Sequence, residues 1–386
     1  MSRTLSSSWA SVTPIRATPR IRSTISIVQT RSVHSDTEST KSFSNRRPSH
    51  LLTLADLPPA QITFLIRRAI AMKHIIKNRV VSNPLPKSLS GGTIAMLFSK
   101  RSTRTRVATE TSTALLGGHA MFLGSQDIQL GVNETLEDSA RVIGSMVNGI
   151  MARVGSHDEV EALAKYSPVP VINALSALYH PTQILADIMA LCEHFNPNMD
   201  LPITPSIGQK LPFRRQVENV LKRSLPEPDL GLKGKKVAWV GDVNNIINEI
   251  LVTLPRLGMT VSVAAPKGYD QVDPEVWRRI TEAGTQDKII LTNSPEEALN
   301  GADIIVTDTW ISMGQEEEKA ARLEAFKGYQ LTNDLINRSG AKKDWVFLHC
   351  LPRKQEEVDD EVFYGPQSIV WNEAENRKWT IMAILS

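Results

Sequence analysis

Short apolar runs alternate along this chain with longer segments in which apolar residues recur every three or four positions. An apolar run of four to eight residues is typical of a buried strand, and the longer spacing is typical of a helix with one buried face. In the first half the pattern predicts the strands Thr93–Phe98, Ala120–Leu123, Ile150–Val154 and Val169–Asn173 and the helices Pro58–Asn78, Thr103–Leu116, Glu134–Asn148 and Asp158–Tyr166.

The second half repeats the alternation. Its predicted strands are Lys236–Val240, Thr260–Ala265, Lys288–Leu291, Asp303–Thr307 and Trp345–Leu348, and its predicted helices are Asn245–Leu257, Pro274–Ala283, Pro295–Leu299, Glu316–Phe326, Glu357–Phe363 and Asn376–Leu385. One further helix, His180–Phe195, is predicted to connect the halves. Because strands that alternate with helices indicate parallel sheets, the predicted fold class is α/β, with two doubly wound parallel-sheet domains joined by a helix.

Length and composition narrow the class of protein. A chain of 386 residues favours two domains, since single cores rarely grow beyond about 250–300 residues. No apolar run approaches the roughly 20 residues that span a membrane, and a net charge of +3 with scattered basic residues does not favour a nucleic-acid partner. Two cysteines, Cys192 and Cys350, do not predict a disulfide framework.

The first 35 residues differ from the rest of the chain. They contain arginines and many Ser and Thr residues but no Asp or Glu. This composition is typical of a mitochondrial transit peptide, so residues 1–35 are predicted to direct the protein to the mitochondrial matrix. The alternative is a disordered tail that carries no targeting signal. Residues 36–49 are polar and are predicted to be flexible.

The richest chemistry lies between the strand Thr93–Phe98 and the helix that follows it. The sequence Phe98-Ser-Lys-Arg-Ser-Thr-Arg-Thr-Arg106 places hydroxyl groups and cations at a helix N-terminus. Unpaired N–H groups and the helix dipole make such a terminus favourable for anions, and guanidinium groups fit phosphate oxygens in pairs. The segment therefore predicts a site for a phosphate-bearing small ligand. A solvated basic helix start is the alternative.

A dinucleotide site is not predicted. The strand Lys236–Val240 leads into Gly241-Asp-Val-Asn-Asn245 and then a helix, which is Rossmann-like topology. The glycines that let the backbone approach a pyrophosphate are missing, and asparagines occupy the turn instead. Because amide groups both donate and accept hydrogen bonds, this turn suits an amino-acid ligand better.

Several further motifs stand at predicted strand ends, where open α/β sheets bind ligands. They are Ser-Thr-Arg-Thr at 102–105, His-Pro-Thr-Gln at 180–183, Asp-Val-Asn-Asn at 242–245, Asp-Thr-Trp-Ile-Ser-Met-Gly at 308–314, His-Cys-Leu-Pro-Arg at 349–353 and Glu-Asn-Arg at 375–377. Together and in this order they resemble the aspartate/ornithine transcarbamylase family, and they match its ornithine-specific members closely. The resemblance runs from about Leu51 to the last residue.

The resemblance implies an activity and a domain division. The activity is transfer of the carbamoyl group of carbamoyl phosphate to the δ-amine of L-ornithine, which gives L-citrulline and phosphate in arginine biosynthesis. Residues 50–185 would form the carbamoyl phosphate-binding domain and residues 186–371 the ornithine-binding domain, and residues 372–386 would form a helix that returns to the first domain. The Pro-rich residues 196–234 look like an insertion relative to shorter members of the family.

The resemblance also implies a carbamoyl phosphate site. Its members would be Ser102, Thr103, Arg104, Thr105, Arg153, His180, Gln183 and Arg377. His180 would donate to the carbonyl oxygen, and Gln183 would accept from the carbamoyl NH2 group. The alternatives are a surface charge for Arg153 or Arg377 and a helix-cap role for His180.

The ornithine side would comprise Asn245, Asp308, Ser312, Met313, Cys350 and Leu351. Asp308, Ser312 and Met313 would hold the α-amino end of ornithine, and Cys350 and Leu351 would contact the carbamoyl group. Arg104, His180 and Cys350 are the predicted catalytic residues. A turn role for Asp308 and a core thiol for Cys350 are the alternatives.

The family also implies partners. Its members form homotrimers with shared active sites, in which the loop Ser125–Gly131 would reach a neighbouring subunit. Gln129 stands where some members have histidine and is not assigned a role. No cofactor is implied, and the histidines show no metal-ligand spacing. Two rival functions remain: a transcarbamylase for aspartate or another amine, and a catalytically silent regulatory relative.

Overall fold

The computed structural model describes residues 49–77, 87–124, 134–197, 230–311 and 316–386. The first half forms a four-stranded sheet in the order β2-β1-β3-β4, and all its strand pairs are parallel. Its strands are β1 Thr93–Phe98, β2 His119–Gly124, β3 Gly149–Arg153 and β4 Val171–Leu175.

The second half forms a five-stranded parallel sheet in the order β7-β6-β5-β8-β9. Its strands are β5 Lys236–Val240, β6 Thr260–Ala264, β7 Ile289–Thr292, β8 Ile304–Thr307 and β9 Val346–His349. In both sheets the strand order reverses at an inner pair, between β1 and β3 and between β5 and β8. Ligands of open α/β sheets bind at such reversals, outside the carboxyl ends of the strands.

Helices connect the strands. The described α-helices are α1 Pro59–Lys77, α2 Arg104–Leu115, α3 Leu136–Met146, α4 His157–Tyr166, α5 Pro181–Phe195, α6 Asn245–Thr253, α7 Pro274–Glu282, α8 Pro295–Leu299, α9 Lys319–Ala325, α10 Asn333–Arg338, α11 Asp360–Phe363 and α12 Val370–Leu385. Short 3₁₀ turns lie at Leu54–Asp56, Leu254–Leu257, Gln286–Lys288 and Glu316–Glu318.

Both faces of each sheet are covered, which confirms the predicted doubly wound fold. In β1, Met96 packs in the core that contains α1 and α5, whereas Leu97 packs in a separate core with α3 and α4. In β5, Trp239 and Val240 divide in the same way between two cores. Strands buried on both faces explain why the sequence shows continuous apolar runs rather than alternation.

One hydrophobic core extends through both halves. It joins residues of α1, β1, α5 and α12 to residues of β5, α6 and β6. Polar contacts cross the same boundary, since the buried carboxylate of Glu249 in α6 accepts from Thr53 Oγ1 at 2.8 Å and from the Leu54 N–H at 2.7 Å. The halves are therefore joined by more than the chain connection at α5.

The predicted return of the C-terminal helix to the first half is confirmed. Ser112 Oγ in α2 donates to the Lys378 carbonyl at 2.7 Å, and Lys73 Nζ in α1 donates to Asn376 Oδ1 at 2.8 Å. At the end of the helix, Arg68 Nε donates to Ser386 Oγ at 2.7 Å.

Some element boundaries were predicted wrongly. The C-terminal helix begins at Val370, six residues before the predicted start, because Val370 and Glu373 in its polar-looking first turns are buried. Strand β4 begins at Val171 rather than Val169, since Pro170 has no N–H to give to the ladder. Helix α11 begins only at Asp360, where Asp359 caps it, and α10 was not predicted.

Other predictions fall largely outside the described residues. These concern the transit peptide, the segment 36–49 and most of the insertion 196–234. Among the helices that the structure describes, none combines the length and apolar character needed to cross a membrane.

Candidate active site

A cavity of about 800 Å³ lies where the carboxyl ends of the two sheets face each other. Its walls come from the loops after β1, β3, β4, β5, β8 and β9, and thus from both strand-order reversals. Of the predicted site residues, those that line it are Ser102, Thr103, Arg104, Thr105, Arg153, His180, Asn245, Asp308, Cys350, Leu351 and Arg377. The structure therefore brings together residues that lie up to 275 positions apart in the chain (from Ser102 to Arg377).

The loop of residues 99–103 turns directly from β1 into α2. Its start is tied to the neighbouring strand, because the Ser99 N–H donates to the Arg153 carbonyl at 2.9 Å. Ser102 Oγ accepts from the Thr105 N–H at 3.3 Å, so α2 opens at the cavity with its N-terminus. Arg104 donates from Nη2 to the carbonyl oxygen of Leu351, which belongs to the second half. The first cation of the site thus also bridges the two halves.

Two further guanidinium groups are buried beside Arg104. Arg153 at the end of β3 is 8% exposed and Arg377 in α12 is 3% exposed, so neither is the surface charge of the alternative interpretation. Burial, with nearby guanidinium groups adding repulsion, lowers the pKa of both Arg153 and Arg377 to about 10. Within the described residues, Arg153 Nε and Arg377 Nε have no hydrogen-bond partner. Such a site favours a dianion that can neutralise several cations at once.

His180 precedes the first residue of α5, and Pro181 occupies the first helical position. The His180 side chain makes no capping hydrogen bond, which argues against the helix-cap alternative. Burial first, and then the charges of Arg377, Arg153 and Arg104, hold the pKa of His180 well below its usual value. The imidazole is therefore neutral near pH 7, with one nitrogen able to donate and one able to accept.

Gln183 is buried but does not line the cavity. Its Oε1 accepts from Arg377 Nη1 at 2.6 Å, and its Nε2 donates to Asp187 Oδ1 at 2.9 Å and to Glu373 Oε1 at 2.7 Å. The predicted contact with a carbamoyl NH2 group would require an oxygen that already accepts from a guanidinium. Gln183 thus lies directly behind Arg377, away from the cavity surface.

The opposite wall of the cavity carries the carboxyl group of Asp308 and the side-chain amides of Asn244 and Asn245. Asp308 follows β8 and is 7% exposed; its Oδ2 accepts from Asn244 Nδ2 at 2.9 Å and its Oδ1 accepts from the Cys350 thiol at 3.0 Å. Burial and the carboxylate of Asp308 raise the pKa of Cys350 well above its usual value, so the sulfur stays protonated. Asn245 donates from Nδ2 to the Ser176 carbonyl at 2.8 Å.

The turn after β9 is unusual in its backbone. Leu351 has φ +62°, a left-handed backbone conformation that residues other than glycine rarely adopt, and the Leu351–Pro352 peptide is cis. His349 stabilises this turn, because its Nδ1 accepts from the Leu351 N–H at 2.9 Å and its Nε2 faces Glu357 Oε1 at 3.3 Å. The result is that the Leu351 carbonyl points to Arg104 while Cys350 points to Asp308.

The ligand atoms of Asp308, His349 and Cys350 lie within 4.8 Å of one another, although the sequence showed no metal-ligand spacing. Both ring nitrogens of His349 already take part in hydrogen bonds with Leu351 and Glu357. Asp308 and Cys350 are thus hydrogen-bonded to each other, and His349 is bonded to the backbone of Leu351 and to Glu357.

Sequence reasoning assigned no site role to three functional candidates, although Asn244 stood in the turn predicted to suit an amino-acid ligand. Asn244 both caps α6, accepting from the Ile246 N–H at 2.9 Å, and holds Asp308. Asp187 and Glu373 lie buried behind the cavity. Asp187 carried a signal, since it is the one acidic residue in the apolar run Ile184–Cys192, and a lone acid there is rarely buried without a partner. Ser312, Met313 and the loop Ser125–Gly131 lie outside the described residues.

Comparisons with known proteins agree with this geometry. The family model described as "Aspartate/ornithine carbamoyltransferase, carbamoyl-P binding domain" matches residues 49–193, and the model described as "Aspartate/ornithine carbamoyltransferase, Asp/Orn binding domain" matches residues 233–386.

Among curated proteins, the chain is 48% identical over 342 residues to a mitochondrial ornithine carbamoyltransferase of Aspergillus terreus, covering 88% of each chain. It is 46% identical to the mitochondrial ornithine transcarbamylase of Gallus gallus, covering 87% of this chain and 84% of that protein. Among solved structures, a mitochondrial ornithine carbamoyltransferase from Coccidioides immitis superposes with a TM-score of 0.73 at 43% identity, covering 87% of this chain and 96% of the other. With family models over most of its length and relatives this similar, the chain belongs to the aspartate/ornithine carbamoyltransferase family.

Proposed function

We propose that this protein is an ornithine carbamoyltransferase, which forms L-citrulline and phosphate from carbamoyl phosphate and L-ornithine. The observation that carries the proposal is the opposition of two walls in one cavity. Arg104, Arg153 and Arg377 stand on one side with neutral His180, and Asp308 stands on the other with Asn244 and Cys350. A phosphate dianion fits the first wall, and the ammonium group of an amino acid fits the second.

The chemistry follows from this arrangement. The δ-nitrogen of ornithine attacks the carbonyl carbon, a C–N bond forms, the C–O bond to phosphate breaks, and the nitrogen gives up one proton. The guanidinium groups hold the charge of the departing phosphate. Positioning and electrostatic stabilisation supply most of the rate in such a reaction, because phosphate is a good leaving group once its charge is held.

His180 is suited to stabilise the carbonyl oxygen as its negative charge grows. Thr182 Oγ1 accepts from Arg377 Nη2 at 3.1 Å and lies 3.4 Å from His180 Nδ1, so its own proton is directed to that nitrogen. The proton of the neutral imidazole then resides on Nε2, from which it can be donated to the substrate. A histidine kept neutral among cations retains a donor without adding a fourth charge.

The ornithine preference rests on the second wall. An aspartate substrate would bring an additional carboxylate, which the Asp308 carboxylate would repel. The mitochondrial names of the relatives support a location in the mitochondrial matrix. The domain limits 50–185 and 186–371, the assignment of the C-terminal segment 372–386 to the first domain and the ornithine contacts of Ser312 and Met313 remain parts of the proposal.

A homotrimer with shared active sites completes the proposal. Five apolar side chains are well exposed on α2, β2 and α3: Val107, Leu115, Met121, Val142 and Met146. Strand β2 is also an edge of the first sheet. Apolar side chains beside a sheet edge are typical of a surface that a second subunit covers.

The function is tested by the products of the purified protein. With carbamoyl phosphate and ornithine it should form citrulline and phosphate in equal amounts, and with aspartate in place of ornithine the rate should fall to background. Carbamoylation of aspartate would favour the rival transferase. Binding of carbamoyl phosphate without any turnover would favour the silent regulatory relative.

The phosphate site is tested by Arg104→Lys. Lysine cannot make the paired contacts of a guanidinium group, so kcat/KM should fall by an amount equivalent to roughly 2–4 kcal/mol, the scale for the loss of one oxyanion donor. The matched control is Arg106→Lys, because Arg106 is exposed and pairs with Glu110 on the surface of α2. Steady-state kinetics measure both variants, and equal kinetics for the two would contradict the assignment of Arg104.

The amino-acid side is tested by Asp308→Asn. This change removes the charge that would hold the α-ammonium group of ornithine, and turnover should almost vanish while carbamoyl phosphate binds nearly as before. Calorimetry with carbamoyl phosphate and a citrulline assay give the two quantities, with the exposed Asp287→Asn as control. If carbamoyl phosphate affinity falls as much as turnover does, Asp308 belongs to the first site or to the fold.

Shared sites are tested by mixing two inactive proteins. One carries Arg104→Ala and the other a deletion within Ser125–Gly131. When the two are refolded together, mixed trimers should contain some sites with neither lesion and regain part of the activity. Native mass spectrometry establishes that mixed trimers have formed, and absence of activity from such trimers would show that each site is built from one chain.

A further inference from the structure

Four side chains form a buried cluster between helices α5 and α12, behind the phosphate side of the cavity. Gln183 and Asp187 lie one turn apart on α5, and Glu373 and Arg377 lie one turn apart on α12. Each is at most 4% exposed. The reaction as described uses Arg377 but gives no role to the two carboxyl groups, although burying charge is costly unless it is compensated.

The cluster is held by one amide group. The Nε2 atom of Gln183 donates to Asp187 Oδ1 at 2.9 Å and to Glu373 Oε1 at 2.7 Å. Because both hydrogens are directed to carboxyl oxygens, the amide oxygen must face the other way, where it accepts from Arg377 Nη1 at 2.6 Å. The other terminal nitrogen, Nη2, donates to Thr105 and Thr182 at 3.1 Å each. The carboxyl pair thus fixes the guanidinium plane through Gln183.

Glu373 also reaches the other wall of the site. Its Oε2 accepts from the His349 N–H at 2.9 Å, one residue before Cys350. The cluster therefore connects the phosphate side to the end of β9, and a shift of Glu373 would move both.

Charge balance limits how many negative charges the pair can carry. Two ionised carboxylates that share one NH2 group repel each other, so such pairs retain a proton. The charged and titratable groups that face the pair are Arg377 on α12, with Arg153 of β3 beyond it, and Cys350 after β9. Burial raises the pKa of Asp187 to about 7, and burial together with Asp187 raises the pKa of Glu373 well above its usual value.

We propose that Asp187 and Glu373 are positioning residues that share one proton, carry a single negative charge between them, and thereby hold Gln183 and Arg377 in place at the phosphate site. One negative charge balances Arg377 and leaves Arg104 and Arg153 to attract the dianion. A second charge would neutralise the site that the substrate must fill. This inference rests on the proposed function for the identity of the ligand.

The proposal distinguishes single from double substitutions. Asp187→Asn leaves the charge on Glu373, and Glu373→Gln leaves it on Asp187, so each single variant keeps the balance and nearly the same shape. The double variant has no charge to balance Arg377. Each single variant should stay within about tenfold of the unaltered enzyme in kcat/KM for carbamoyl phosphate, whereas the double variant should lose on the order of 100-fold beyond the product of the singles, the scale of a 1 Å misplacement.

A ligand-free measurement accompanies the kinetics. A carboxyl group whose pKa is raised in the folded state keeps its proton to a higher pH than it does in the unfolded chain. For Asp187, the contribution of this proton to stability is therefore lost as pH rises from about 4 to about 7. Each single variant has one such carboxyl group fewer, and in Asp187→Asn the remaining Glu373 also loses the neighbour that raises its pKa. The melting temperature of the single variants should therefore fall less between pH 5 and pH 8 than that of the unaltered protein.

The control is Glu375→Gln on the same helix, since Glu375 is partly exposed and pairs with Lys77 at the surface. It should leave the kinetics and the relation between melting temperature and pH unchanged. A double variant that shows only the product of the two single effects, or single variants whose melting temperature follows pH as the unaltered protein does, would overturn the proposal. Failure of the proposed function is a different result, in which the unaltered protein forms no citrulline while the melting measurement still reports on the pair.

Discussion

The concentration of positive charge in a buried site is the constraint on which the rest of this structure depends. Arg104, Arg153 and Arg377 approach one another closely enough that burial and mutual repulsion depress the pKa of the latter two. Such a cluster is unfavourable in a folded protein unless an anion fills it or other groups compensate it. The surrounding structure compensates only part of the charge, and in the proposed function the part left over binds the phosphate dianion.

Compensation comes from groups that do not enter the cavity. Arg104 donates to the carbonyl of Leu351, a peptide dipole that carries no net charge. Arg377 is held by the amide of Gln183 and two threonine hydroxyls, with the carboxyl pair one layer further back. A carboxylate directly against the guanidinium groups would compete with the substrate, whereas one behind Gln183 steadies them without occupying their free donors. The same cations keep His180 neutral, so the arginines determine the protonation state of the histidine beside them.

The sequence predicted the fold well because most of its strands are buried on both faces and read as unbroken apolar runs. Strands β1 and β5 were predicted with their observed limits. Errors arose where tertiary contacts decide: the first turns of α12 look polar, yet Glu373 is buried by contacts with α5 and β9 that no local pattern shows. The cavity members came from motif resemblance, which identifies residues that touch ligands. It did not single out Asn244 within the motif at 242–245, and it did not include Asp187 or Glu373, because the roles of these residues are defined by which partner lies opposite after folding.

The placement of the site explains why two sheets are needed. A single parallel sheet offers one strand-order reversal and one set of helix N-termini, which suits an anion but provides no opposing wall. Here the reversal between β1 and β3 supplies cations, and the reversal between β5 and β8 supplies the Asp308 carboxylate and the asparagine amides. Because carbamoyl phosphate and ornithine carry opposite charges at their binding ends, a cavity between two such edges separates their binding groups and brings the carbonyl carbon and the amine together between them. The core that runs through both halves, the return of α12 and the contact of Arg104 with Leu351 all hold these edges in register, so the chemistry depends on the interface between the halves as much as on either half alone.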